Sequence, residues 1–143
     1  MTGLDEIKLE LDIHFKRIDS ILPEINGYLP LSKDDFDNIE IIKAIDSFIL
    51  RFTKIQDKMG DKLFPAVLDK LQEYKRSMSL LDVLNKLEKL EYIDSTEEWI
   101  GFRALRNILT HEYPTNQDEI AEAVELAIDS YNKMKRIYMS MVG

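Results

Sequence analysis

Residues 39–59 read IEIIKAIDSFILRFTKIQDKM, without a glycine or a proline. Ile39, Ile42, Ile45, Phe48 with Ile49, Phe52, Ile55 and Met59 return at spacings of three and four, which places them on one stripe of a helix and excludes an alternating strand. Outward from this stretch the pattern repeats. On the N-terminal side, Leu4, Ile7, Leu11, Phe15, Ile18, Leu22 and Ile25 predict a helix from about Leu4 to about Ile25, with Pro23 bending or shortening its last turn. Gly27, Pro30 and Ser32 mark a break, and Ser32 before Asp34 and Asp35 offers a start for the second helix. Beyond Met59 a kink or short break is expected between Gly60 and Pro65, before Leu63, Phe64, Val67, Leu68 and Leu71 resume the period.

Three further helix starts are written locally. Ser79 precedes Leu80, Leu81, Leu84, Leu87 and Leu90. Ser95-Thr96-Glu97-Glu98 has the form of a capping box ahead of Trp99, Phe102, Leu105 and Leu109. That helix must stop before Pro114, because Tyr113 precedes a proline. Asn116 with Glu119 opens the last helix, which packs through Ile120, Val124, Ala127, Ile128, Tyr131, Met134 and Tyr138. The expected fold is all-α, an up-and-down bundle of five to six helices forming a single domain over residues 1–143.

Composition narrows the chemistry. The 19 Lys and Arg against 27 Asp and Glu leave a net charge of −8, so any contact with a phosphate backbone needs a local basic patch acting against the overall field. With no cysteine, thiolate catalysis, thiolate-ligated zinc and iron–sulfur clusters are excluded. His14 and His111 are too few for a histidine-rich metal centre, and neither a metal nor a cofactor is expected. The N-terminal residues lack a signal-peptide apolar region and no apolar run approaches a membrane span, so the expectation is a cytoplasmic protein with no membrane partner.

The chemically informative segment runs from Trp99 to Pro114, WIGFRALRNILTHEYP. Arg106 carries a permanent charge on a planar fork of donors suited to phosphate, and His111 exchanges a proton near neutral pH. These are the two functions that metal-independent RNA cleavage requires. On an ideal helix the five-residue step separates Arg106 from His111 by about 140° around the axis and about 7.5 Å along it. Either the helix unwinds in its last turn or a second copy completes the cleft. Arg51, Lys54, Lys58 and Lys62 recur on one side of the second helix, and Arg103 lies one turn before Arg106. Together they form a possible RNA patch or a plain solvated face. A structural alternative also stands for the pair itself: His111 favoured by the helix C-terminus, with Arg106 paired to Glu112 or Glu97. His14, on the apolar stripe of the first helix, is expected to be part-buried, and Trp99 and Phe102 to be core or interface.

The run Leu105-Arg106-Asn107 through His111-Glu112-Tyr113-Pro114 resembles the Arg-x4-His-x-Tyr signature of the HEPN family (higher eukaryotes and prokaryotes nucleotide-binding). More narrowly, it resembles the HepT-like toxins paired with minimal nucleotidyltransferase antitoxins. Residues 51–64 also look like the second-helix segment of one HepT-like subgroup. The resemblance implies a homodimer with the motif helices near its two-fold axis and an RNA substrate. It implies Arg106 and His111 as catalytic residues, with Asn107 and Arg103 orienting phosphate. It further implies that a cognate nucleotidyltransferase silences the toxin by transferring AMP to Tyr113. A different class of function remains beside it: a non-catalytic nucleotide- or substrate-binding subunit of a nucleotidyltransferase complex. A purely structural helical adaptor is a third.

Overall fold

The computed structural model describes residues 3–111 and 116–143, and among these every regular element is helical. In chain order they are α1 (Gly3–Tyr28), a 3-10 turn (Lys33–Asp37), α2 (Ile39–Lys58), a π turn (Met59–Leu63), α3 (Phe64–Lys70), α4 (Leu80–Lys89), α5 (Thr96–His111) and α6 (Gln117–Val142). The result is an all-α bundle.

The capping chemistry explains where most elements begin. Ser79 Oγ accepts from the Asp82 N–H at 3.1 Å while Asp82 accepts from the Ser79 N–H at 3.0 Å, so α4 opens with a reciprocal box. Ser95 Oγ accepts from the Glu98 N–H at 3.0 Å and Asn116 Oδ1 from the Glu119 N–H at 3.2 Å, as their sequences predict. Helices α3 and α4 stop at residues in the left-handed region, Gln72 (φ 60) and Glu91 (φ 65). There the next amide turns back to the helix, Glu73 N–H to Leu68 O at 2.8 Å and Tyr92 N–H to Leu87 O at 2.9 Å.

Three boundaries differ from the sequence reading. Helix α1 continues through Pro23 to Tyr28, because the loss of one backbone donor is outweighed by Ile18 and Ile25, both fully buried, which hold that turn in the core. Ser32 opens the 3-10 turn and not the second helix; α2 starts at Ile39, capped by Asn38 Oδ1, which accepts from the Glu40 and Ile41 amides at 3.0 and 3.4 Å. Between Gly60 and Pro65 the rod does not break. It widens into the π turn, with the Phe64 N–H reaching Met59 O, and this wider turn accommodates the proline that follows.

Every apolar residue expected to bury α6 does so, and His14 is 8% exposed. Along the seam between α1 and α6 the Phe15 ring lies 4.8 Å from Tyr138 and 5.7 Å from Tyr131. Each phenol ends on a carboxylate and a carbonyl of α1: Tyr131 Oη lies 2.7 Å from Asp19 Oδ1 and 3.1 Å from Phe15 O, Tyr138 Oη 2.6 Å from Asp12 Oδ1 and 3.2 Å from Lys8 O. At the other side of the bundle Phe64, Trp99 and Phe102 pack against one another, with ring centroids 4.5 and 5.6 Å apart, and fix the rotation of α5.

Candidate functional site

With Trp99, Phe102 and Leu109 turned into the core, α5 carries Arg103, Arg106, Asn107 and Thr110 along the flank next to Trp99, at spacings that stack them one turn above another. They meet the end of α2 and the π turn. Gln56, Asp57, Gly60 and Asp61 form one wall of a polar cleft, Arg103, Arg106 and Asn107 form the other, and Leu80 of α4 closes it; the cleft encloses about 270 Å³.

Arg106 is its centre. Its Nε and Nη2 donate to Asp57 Oδ1 and Oδ2 at 3.1 and 2.9 Å, a two-point grip that fixes the plane of the guanidinium. The remaining nitrogen, Nη1, donates to Thr110 Oγ1 at 3.2 Å and Asn107 Oδ1 at 3.4 Å. Both of those acceptors are neutral and the longer contact is near the limit of a hydrogen bond, so Nη1 is the edge an anion takes over most readily. The carboxylate that pairs with Arg106 thus comes from α2, not from Glu97 of its own helix; Glu112 lies outside the described residues.

His111 is the last described residue of α5, exposed, and its imidazole makes no hydrogen bond or ion pair among the described residues. The helix stays α-helical through this position. Unwinding ahead of His111 therefore does not bring the imidazole round to Arg106, and within one chain the two point in different directions. Tyr113 lies outside the described residues.

The basic residues of α2 divide. Arg51 and Lys58 turn toward α1, where Arg51 Nη1 lies 3.1 Å from His14 Nδ1 and Lys58 Nζ 2.7 Å from Glu10 Oε2. Lys54 is exposed between them. Burial, reinforced by the Arg51 charge, holds the His14 imidazole below its ordinary pKa, so the ring is neutral and its Nδ1 accepts from Arg51. The hydrogen bond from Lys58 lowers the Glu10 carboxyl. Arg103 alone of the supporting cations shares the cleft with Arg106.

Sequence reasoning missed Gln56, Asp57 and Asp61. A signal existed for Gln56: it falls four residues after Phe52 and one after Ile55, inside the apolar stripe, where a polar side chain is out of place. Asp57 and Asp61 carried none, because carboxylates among lysines are the ordinary composition of a solvated helix face. Among the described residues, no group of three or more His, Asp and Glu gathers in a way that would hold a metal ion, and no helix is long and apolar enough to cross a membrane.

No protein-family model, curated protein or solved structure matches this chain.

Proposed function

We propose that this chain is a HepT-like HEPN ribonuclease, the toxin of a cytoplasmic toxin–antitoxin module, which cuts RNA as a homodimer without a metal. The observation that carries the reading is the placing of Arg106 in a polar cleft with Arg103 and Asn107, on the same helix that ends in an exposed His111. A phosphodiester of RNA displaces Asn107 and Thr110 from Nη1 of Arg106, while Asp57 keeps the guanidinium in plane. The His111 imidazole removes the proton from the ribose 2′-OH, and the 2′-oxygen attacks the adjacent phosphorus. Charge building on the phosphoryl oxygens is met by Arg106 and Arg103. The bond from phosphorus to the 5′-oxygen breaks, that oxygen receives a proton from a second imidazole, and the products are a 2′,3′-cyclic phosphate and a 5′-OH.

Because one chain aims Arg106 and His111 apart, the reading requires the second copy to complete the groove. Transfer of AMP to Tyr113 by a cognate nucleotidyltransferase antitoxin would switch the enzyme off by adding negative charge that repels the RNA phosphates.

The alternative of a non-catalytic nucleotide-binding subunit is equally compatible with the grip of Asp57 on Arg106, which suits a fixed phosphate anchor as well as it suits a catalyst. The two separate in one experiment. Unmodified dimer, shown by mass spectrometry to carry no AMP on Tyr113, is incubated with RNA in EDTA beside Arg106→Ala and His111→Ala. The ribonuclease reading expects cyclic-phosphate ends and a loss of about 10²-fold or more in either variant, the usual scale for removing a general base or a charge-stabilising donor. Folded protein that cleaves no class of RNA transfers the conclusion to the binding subunit.

A further inference from the structure

Gln56 is 3% exposed, it lines the cleft, and its carboxamide makes no hydrogen bond among the described residues. The residue is buried but its amide opens onto the cleft, so two donors and one acceptor are left to be met from outside the chain. A second unmet group lies beside it. Trp99 Nε1 is buried without a partner, 3.5 Å from the point where a Cβ on Gly60 would stand, and Gln56 Nε2 is 3.9 Å from that same point. Gly60 has no side chain to cover either, and the π turn begins at Met59, where α2 ends. The floor of the cleft at Gln56 and Gly60 is therefore polar, with the Trp99 Nε1 directly behind it.

We infer that this floor reads a nucleobase, and that Gln56 recognises one carrying an exocyclic amino group beside a ring nitrogen, as adenine and cytosine do. The inference rests on the reading of Arg106 as a phosphate holder and extends it from the phosphate to the base. A carboxamide matches that edge at two points, with its oxygen accepting from the amino group and its N–H donating to the ring nitrogen. The cleft chemistry selects the same edge. Asp61, on the rim one turn beyond Asp57, accepts hydrogen bonds and repels lone pairs, so it accommodates the second amino hydrogen and disfavours a carbonyl in its place. Arg103 and Arg106 on the opposite wall then meet the phosphate of the same nucleotide.

Isothermal titration tests this on unmodified protein with AMP against IMP and CMP against UMP, pairs that differ by an amino group exchanged for an oxygen, and with inorganic phosphate as the baseline. The wild type is expected to bind AMP and CMP about ten-fold or more tighter than their oxo counterparts, the scale of one good two-point contact. Gln56→Met, close in volume and without the edge, is expected to erase that difference and leave the affinity for inorganic phosphate where it was. Gln56→Asn keeps the amide and withdraws it by one methylene, so it gives the same result if the methionine variant does not fold. Discrimination that survives in a folded variant overturns the role of Gln56. Equal binding of all four nucleotides at the affinity of inorganic phosphate overturns base reading and leaves Arg106 as a phosphate holder intact. No binding of any probe, inorganic phosphate included, overturns both.

Discussion

The seam between α1 and α6 and the cleft between α2 and α5 solve the same problem in opposite ways. Each brings polar atoms into a helical interface dominated by aromatic rings. In the seam the hydroxyls of Tyr131 and Tyr138 both end on a carboxylate and a backbone carbonyl of α1, and Lys135 closes on Asp19 from outside. In the cleft the Gln56 amide makes no hydrogen bond among the described residues, and the buried side-chain atoms without a partner among those residues, Thr53 Oγ1 and Trp99 Nε1, lie on the same two helices that form its walls. Buried polar groups left unpaired cost stability, and natural folds keep them where they serve something other than the fold. The seam satisfies its polar atoms within the chain; the cleft leaves the Gln56 amide to be met from outside it.

If that division is right, deleting a polar atom in the seam has the largest cost. Tyr131→Phe removes one hydroxyl and strips a partner from both Asp19 and the Phe15 carbonyl, and a loss of about 1.5–3 kcal/mol is expected, the range for hydrogen bonds to charged groups. Chemical denaturation measures it directly. The seam also sets an alkaline limit. Burial and the carboxylates raise both phenols above the ordinary tyrosine value of 10.0. Once the unfolded chain ionises at pH 10 and the folded one does not, the unfolded state binds fewer protons, so stability falls as pH rises, by about 1.4 kcal/mol per pH unit for each such tyrosine. In Tyr131→Phe one of the two contributions is gone and the slope above about pH 10 is expected to flatten by roughly half. An unchanged slope would mean that the phenols are not held by the seam.

The two regions were also unequally legible in the sequence. The stripe of α6 that carries Tyr131 and Tyr138 is a period of three and four that survives any tertiary context, and its start at Asn116 and Glu119 is chemistry between neighbours. The same is true of the Ser79 cap on α4. Ser32 misled because it too is a local signal, followed by two acids, and nothing nearby says that the turn it opens is 3-10 and closes within five residues. The cleft is a different case. Arg106 and His111 stood out by type and spacing, but the partner of Arg106 is 49 positions away, and only the rotation imposed on α5 by Phe64 and Trp99 decides that it is Asp57. Side chains that matter through a long-range pairing carry no mark in the linear pattern; Gln56 carried one only because it interrupted an apolar stripe.

A smaller effect sharpens the contrast from the cleft side. Asp57 and Asp61 face Arg103 and Arg106 across it, so the four formal charges cancel. Asp57→Asn leaves a net positive charge and loosens the two-point grip on a guanidinium that is one-quarter exposed. The expected loss of stability is about 1 kcal/mol or less, the scale of a part-exposed ion pair. Affinity for inorganic phosphate should rise several-fold in low salt and lose that advantage as salt is added. Weaker phosphate binding in this variant would mean that orientation of Arg106 by Asp57 matters more than the charge it cancels.

The smallest effect is the most diagnostic, because the comparison predicts its sign. A Cβ at Gly60 would lie 3.5 Å from Trp99 Nε1, 3.8 Å from Trp99 Cζ2 and 3.9 Å from Gln56 Nε2, all ordinary contacts that need no rearrangement. Gly60→Ala should therefore recover much of the roughly 1 kcal/mol that a glycine costs inside a helical rod, raising Tm by about 3 °C. In a region built for stability alone, the glycine would have no reason to persist. In a cleft that must admit a ligand, the added methyl stands between the Gln56 amide and whatever it reads, so the same variant should bind AMP and CMP more weakly while it melts later. A variant that gains stability and keeps its nucleotide affinity would show that the opening at Gly60 is not part of the site, and would return Gln56 and Trp99 to the core as imperfectly satisfied packing.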